Sequence, residues 1–144
     1  MALSLGAKVL LDTNVFVDYL RAGMHAEWVL GPASGRIRFL SSVVLLELRL
    51  GADTSRRRRA VDRIRAAFPT TRQISPSPLS FDRAGRLFPL LHGKGSGDHL
   101  APMNDLLIAL TAREIGATIV TRNLREFSRI ATAVPGLVVA SPQR

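Results

Sequence analysis

Three acids stand against apolar sequence: Asp12 directly behind the run "VLL", Glu47 inside "VVLLELRL", and Asp105 in "PMNDLLIAL". A charged side chain without a partner is expensive to bury, so each needs a reason to be there. Two more oxygen donors, Asn123 and Glu126, follow the β-branched run "ATIVT". There is no cysteine, and His25, His92 and His99 lack the spacing of a zinc site. The donor set therefore points to a hard divalent cation. Mg²⁺ takes oxygen ligands, keeps several waters, and binds through one or two carboxylates plus substrate phosphate oxygens. Gathering carboxylates without such an ion is costly, because two unit charges about 5 Å apart repel by roughly 3 kcal/mol at an effective dielectric of about 20. A divalent ion held by acids on a basic chain suits phosphodiester hydrolysis.

Each residue also has a plainer reading. Asp, Thr and Asn start helices by accepting backbone N–H groups of the first turn, so Asp12 in "VLLDTN" is equally a cap. Asp105 suits the positive end of a helix dipole. Asn123 and Glu126 form the N-x-x-E pattern of a capping box. Glu47, among leucines, has the weakest structural alternative.

The elements that must position these residues follow from periodicity and capping. Lys8 to Leu11 reads as a strand and Val15 to Arg21 as a helix closing at Gly23. A second helix holds Trp28 and ends at Gly31-Pro32. A strand over 36–42 ends in serines that cap "VVLLELRLGA", which stops at Gly51. "TSRRRRAVDRIRAAFP" is a capped helix broken at Pro69, and 71–75 is a weak strand. Pro78 to Leu91 is helical with Pro89 bending or ending it, before a flexible "HGKGSGDH". Asp105 then opens a buried helix with Pro102 near its first turn and Gly116 beyond its last. A strand over 117–121, a short helix over 123–130 and a strand over 137–140 complete the chain. Strands alternate with helices and are continuously apolar, which predicts a parallel sheet covered on both faces. In such a sheet ligands gather outside the carboxyl ends of the strands, and the acids share that edge.

Composition bounds the rest. A chain of 144 residues with no linker or repeat is expected to form one unit over 1–144. No apolar run approaches the roughly 20 residues of a membrane span. "MALSLGAKVLLDTN" has no basic leader, so no secretion signal is expected, and the absence of cysteine fits a cytoplasmic protein. Lys and Arg number 20 against 11 Asp and Glu, a net charge of +9, which favours polyanionic partners. "RRRR" at 56–59 is either an RNA-tracking face or a solvated helix surface. "GKGSGD" lacks phosphate-loop spacing and reads as a mobile loop, and Phe16, Tyr19 and Trp28 read as core.

Four stretches in this order, "VLLDTNVFVDYL", "LSSVVLLELRLGA", "MNDLLIALTAREIGATIVTRNLREF" and "LVVASP", resemble the blocks of a PIN domain, and among PIN domains the VapC-type toxin ribonucleases of toxin–antitoxin operons. The resemblance spans about Lys8 to Pro142. D-T-N after a strand is common by chance. Joined to a serine-led helix with E-L-x-x-G, and to D-x-L-I-A followed by V-T-R-N, it is specific.

The resemblance implies a three-layer α/β/α sandwich on a central parallel sheet of four to five strands, and a Mg²⁺- or Mn²⁺-dependent endoribonuclease. Asp12, Glu47 and Asp105 are then its catalytic, metal-binding acids. The family's fourth ligand position, often Asp, falls on Asn123, a neutral and weaker donor, so the count of one or two ions stays open. Glu126 matches a further acid of many members, and Thr13 and Thr121 are supporting hydrogen-bond partners. The implied chemistry is in-line hydrolysis by metal-activated water, leaving 5′-phosphate and 3′-hydroxyl ends. Implied partners are transfer or ribosomal RNA cut in an exposed loop, a VapB-like antitoxin seated in an apolar groove near the site, and a second copy in a homodimer. Two other readings fit the same residues. One is a metal nuclease of this fold acting on DNA or in ribosomal RNA processing, told apart by substrate. The other is a non-catalytic RNA-binding module with a decayed site, told apart by failure to bind Mn²⁺.

Overall fold

The apolar run ahead of Asp12 is buried on both faces: Val9, Leu10 and Leu11 are all 0% exposed. They belong to β1 (Lys8–Leu11), the middle strand of a five-stranded sheet in the computed structural model, which describes residues 6–30, 35–93 and 99–142. The other strands are β2 (Ile37–Ser41), β3 (Gln73–Ile74), β4 (Thr118–Val120) and β5 (Val138–Ala140). All pairings are parallel, in the order β3-β2-β1-β4-β5. A central parallel strand has no solvent face, and this is why its residues are continuously apolar rather than alternating.

The chain moves from β1 outward to β3, then crosses back and fills the other side with β4 and β5. Right-handed crossovers put the helices of the two halves on opposite faces, giving three layers. The first half carries α1 (Thr13–Ala22), α2 (Ala26–Val29), α3 (Ser42–Leu50) and α4 (Ser55–Ala66); the second carries α5 (Pro78–His92), α6 (Leu100–Ile115) and α7 (Leu124–Ala131). Among the helices, α1 meets α2 and α3, α3 meets α4 and α6, and α6 meets both α5 and α7. No helix of the described residues is long and apolar enough to cross a membrane.

Helix starts follow their caps. Ser41 Oγ accepts from the Val43 N–H, Thr54 Oγ1 from that of Arg57, and Ser77 Oγ from that of Ser80. Several boundaries differ from the sequence expectation. The strand expected over 71–75 shrinks to two residues behind a 3₁₀ turn (Thr70–Arg72), because only Gln73 and Ile74 register with Leu40 and Ser41. Pro89 does not end α5, which continues to His92; near a C-terminus the lost N–H costs a single bond. α6 begins at Leu100, so Pro102 lies in its first turn, where no intrahelical donor is needed, and Asp105 stands in the second turn instead of opening the helix. The expected stop of the second helix at Gly31-Pro32 and the loop over 94–98 lie outside the described residues. Phe16 and Trp28 are buried and Tyr19 packs against them as core.

Gly136 gives a stability test. Its φ is +87°, and an added Cβ would lie 2.5 Å from Nε of Arg113, which donates to the Pro135 carbonyl at 2.8 Å. Gly136→Ala is expected to destabilise the protein by about 1–3 kcal/mol, read as a lower urea midpoint with unchanged slope.

Candidate active site

Asp12 leaves β1 with its N–H still donating to Val120 of β4 at 2.9 Å. It therefore sits between the ends of β1 and β4, where the strand order reverses and parallel sheets open a crevice. Its Oδ1 accepts from the Thr13 N–H at 2.8 Å and its Oδ2 from Thr121 Oγ1 at 2.8 Å. One oxygen caps α1 while the other is held by a residue from the far half of the chain, so the cap and the site are one group. The carboxyl is only 4% exposed. Burial raises its pKa, the bonds from Thr121 and Thr13 work against that, and the charge of Glu47 adds to the rise.

Glu47 lies on α3 and is half-buried. Its Oε1 accepts from Thr13 Oγ1 at 2.6 Å. Thr13 thus bridges the two acids, giving its N–H to Asp12 and its hydroxyl to Glu47. Asp105, in α6, completes the cluster. Burial first, then the charges of Asp12, Glu47 and Glu126, push its pKa up from 3.8 to about 7. Its carboxyl accepts no hydrogen bond from the described residues, so nothing there offsets that repulsion.

Asn123 and Glu126 form half a capping box. Asn123 Oδ1 accepts from the Glu126 N–H at 3.4 Å, a long bond. The reciprocal bond is not made, because the Asn123 N–H donates to Thr121 Oγ1 at 3.0 Å. The Glu126 carboxylate is instead paired with Arg129 at 3.1 Å and lies 3.9 Å from His92 Nε2. It stays close enough to Asp105 to raise its pKa. Of the two, Glu126 carries the charge felt at the centre of the cluster, while the Asn123 amide oxygen is occupied as a cap.

Sequence reasoning missed the groups that lock the crevice. Asn14 Nδ2 donates to Thr121 Oγ1 at 3.3 Å, and its Oδ1 accepts from the Arg122 N–H at 3.1 Å. Its place in D-T-N was a signal, but helix capping explained it equally well. Asp18, on α1, pairs with Arg122 at 3.1 Å and His25 at 3.2 Å. No local pattern joins residues so far apart.

The donor chemistry fits a hard divalent ion. Asp12, Glu47 and Asp105 offer only oxygens, and Asp105 is a half-buried acid whose charge lacks compensation among the described residues. Among the described residues no three His, Asp or Glu side chains converge closely enough to hold an ion as they stand.

A five-stranded parallel sheet with one buried and two half-buried acids at its switch point defines an α/β protein built for ligand chemistry at one rim. Residues 9–133 match the PIN domain family, and the chain belongs to it. No curated protein sequence matches it. Among solved structures it is similar to a chain of VapBC2 from Rickettsia felis, bound to a promoter DNA fragment, at 26% identity and a TM-score of 0.68, covering 93% of this chain and 98% of that one. It is similar to a chain of DNA-bound VapBC from Salmonella typhimurium at 26% identity and a TM-score of 0.70, covering 94% and 98%. VapBC-1 from nontypeable Haemophilus influenzae, at 24% identity, a TM-score of 0.68 and coverage of 95% and 99%, shares the fold.

Proposed function

We propose that this protein is the toxin of a VapBC-type pair and acts as a divalent-metal-dependent endoribonuclease. The observation that carries the reading is Asp105, half-buried beside the charges of Asp12, Glu47 and Glu126 with its pKa pushed up to about 7, in a chain of net charge +9. Acids gathered at this cost on a protein built to attract polyanions suit metal-assisted cleavage of a phosphodiester. Asp12, Glu47 and Asp105 would hold Mg²⁺ or Mn²⁺, and Asn123, whose amide oxygen caps α7 through one lone pair, would add a weaker fourth donor through the other. When bound, the ion polarises the phosphodiester and acidifies the attacking water.

The chain's own residues do the positioning. Thr121 and the Thr13 N–H fix both oxygens of Asp12, and the Thr13 hydroxyl fixes Glu47. Asn14 locks Thr121 and the loop behind it, so this half of the site is set before substrate arrives. One carboxylate oxygen takes the proton of the attacking water, and the products carry 5′-phosphate and 3′-hydroxyl ends. Single-stranded loops of transfer or ribosomal RNA suit the site because their backbone is reachable.

The similarity to VapBC assemblies supports a VapB-like antitoxin as partner. α1 and α3 pack together and leave Leu20, Leu46 and Leu50 exposed on the helices that carry Thr13 and Glu47, apolar ground for an antitoxin segment. A homodimer has apolar surface available on α5, where Leu79, Phe81 and Leu90 are exposed.

The experiment is direct. Purified protein incubated with total RNA and Mg²⁺ or Mn²⁺ is expected to yield discrete fragments with 5′-phosphate ends, and excess EDTA to stop it. Cleavage that continues in EDTA, or intact RNA with both metals, overturns the assignment.

A further inference from the structure

Arg122 is a cation set beside the acid cluster, on the Asp12 side, and it is held there at both ends. Its charge acts on Asp12. Its N–H is bonded to Asn14, the residue before it is buried and bonded to Asp12, and the N–H of the residue after it is taken by Thr121. The side chain is tethered through Nε to Asp18 Oδ2 at 3.1 Å, and Asp18 is itself steadied by His25 at 3.2 Å. Asp18 is 16% exposed while Arg122 is 61% exposed. The two terminal nitrogens of the guanidinium meet no partner among the described residues.

An arginine pinned at Nε and free at its terminal nitrogens presents a fork whose spacing matches two oxygens of a phosphate. The ion pair with Asp18 narrows its orientation in advance. The arginines of α4 differ: Arg56, Arg59 and Arg63 are exposed, make no ion pair with an acid among the described residues, and belong to a helix remote in sequence from β4. A phosphodiester entering a cluster of carboxylates also needs positive charge beyond what a single ion supplies.

We propose that Arg122 binds a backbone phosphate of the RNA at the rim of the acid cluster, and that Asp18 is the positioning residue that aims it. This rests on the nuclease reading above. The rival role is a structural pin joining the β4–α7 loop to α1.

The test uses a fluorescein-labelled single-stranded RNA, with Mg²⁺, in an Asp105→Asn background that leaves the RNA intact. Anisotropy gives Kd at several salt concentrations, and thermal melting checks folding. Adding Arg122→Ala is expected to weaken binding about 10-fold or more and to lower the slope of log K against log salt by about 0.7, one phosphate contact on a single strand. Arg122→Lys keeps the slope and recovers part of the affinity, because charge remains but the fork is lost. Asp18→Asn weakens binding with the slope unchanged. If the parent binds RNA and Arg122→Ala leaves Kd and slope as they were, the residue is only a pin and the proposal falls while the nuclease reading stands. If neither this background nor the unsubstituted protein in EDTA binds RNA, the functional reading itself fails and takes this proposal with it.

Discussion

The Asp12→Asn variant is expected to cleave RNA at least about 10²-fold more slowly than the parent protein while folding normally. Both effects follow from one carboxylate. Its two oxygens accept from the Thr13 N–H and the Thr121 hydroxyl, and an asparagine of the same shape keeps the first bond through its oxygen. The charge disappears, and with it the attraction for a dication. Folding tolerates the change because burial and Glu47 already disfavour the ionised form. Circular dichroism should match the parent's and the melting temperature should change little, because loss of the disfavoured charge offsets the bond that Thr121 Oγ1, already accepting from Asn14 and Asn123, cannot make to the new amide. Asp82→Asn, at an exposed pair with Arg86 on α5, serves as the control and should cut at the parent rate. Normal cleavage by Asp12→Asn would remove the acid from the chemistry.

A second large effect concerns stability and pH. Asp105 has a folded-state pKa of about 7 against an ordinary 3.8, so between those values the folded protein binds a proton that the unfolded chain has lost. Stability from this group is then full at the acid end, declines as pH rises from about 4 to about 7, and is level above. Asp12 is shifted in the same direction and adds to the trend. In metal-free protein, Asp105→Asn should raise stability at pH 8 by roughly 1–4 kcal/mol and change little at pH 4. Mg²⁺ or Mn²⁺ should raise the melting temperature of the parent more at pH 8 than at pH 5, and much less in the variant. A melting temperature of metal-free protein indifferent to Asp105→Asn at pH 8 contradicts the burial and repulsion assigned to this group.

Much of the frame could be read from local patterns. The run Val9 to Leu11 announced a strand buried on both faces, and Gly116, with φ +71°, marked the end of α6. The carboxyl-edge rule expects Asp12, Glu47 and Asp105 at one rim, and the charges of Asp12 and Glu47 do act on Asp105. The two-residue β3 was harder, because its length depends on register with β2. Asn123 and Glu126 were ambiguous for a different reason. The N-x-x-E spacing permits a reciprocal cap, and only contact with Thr121 on one side and Arg129 on the other left half of it unmade.

By itself the sequence determined the alternation of parallel strands and helices and the kinds of donor at one rim, since periodicity and capping act over a few residues. Tertiary structure decided which atoms meet. Strand order sets β1 against β4, so Thr121 reaches Asp12 across 109 residues and Arg122 finds Asp18 on α1. Such pairings depend on distances closed by the whole sheet, and a local pattern holds no record of them.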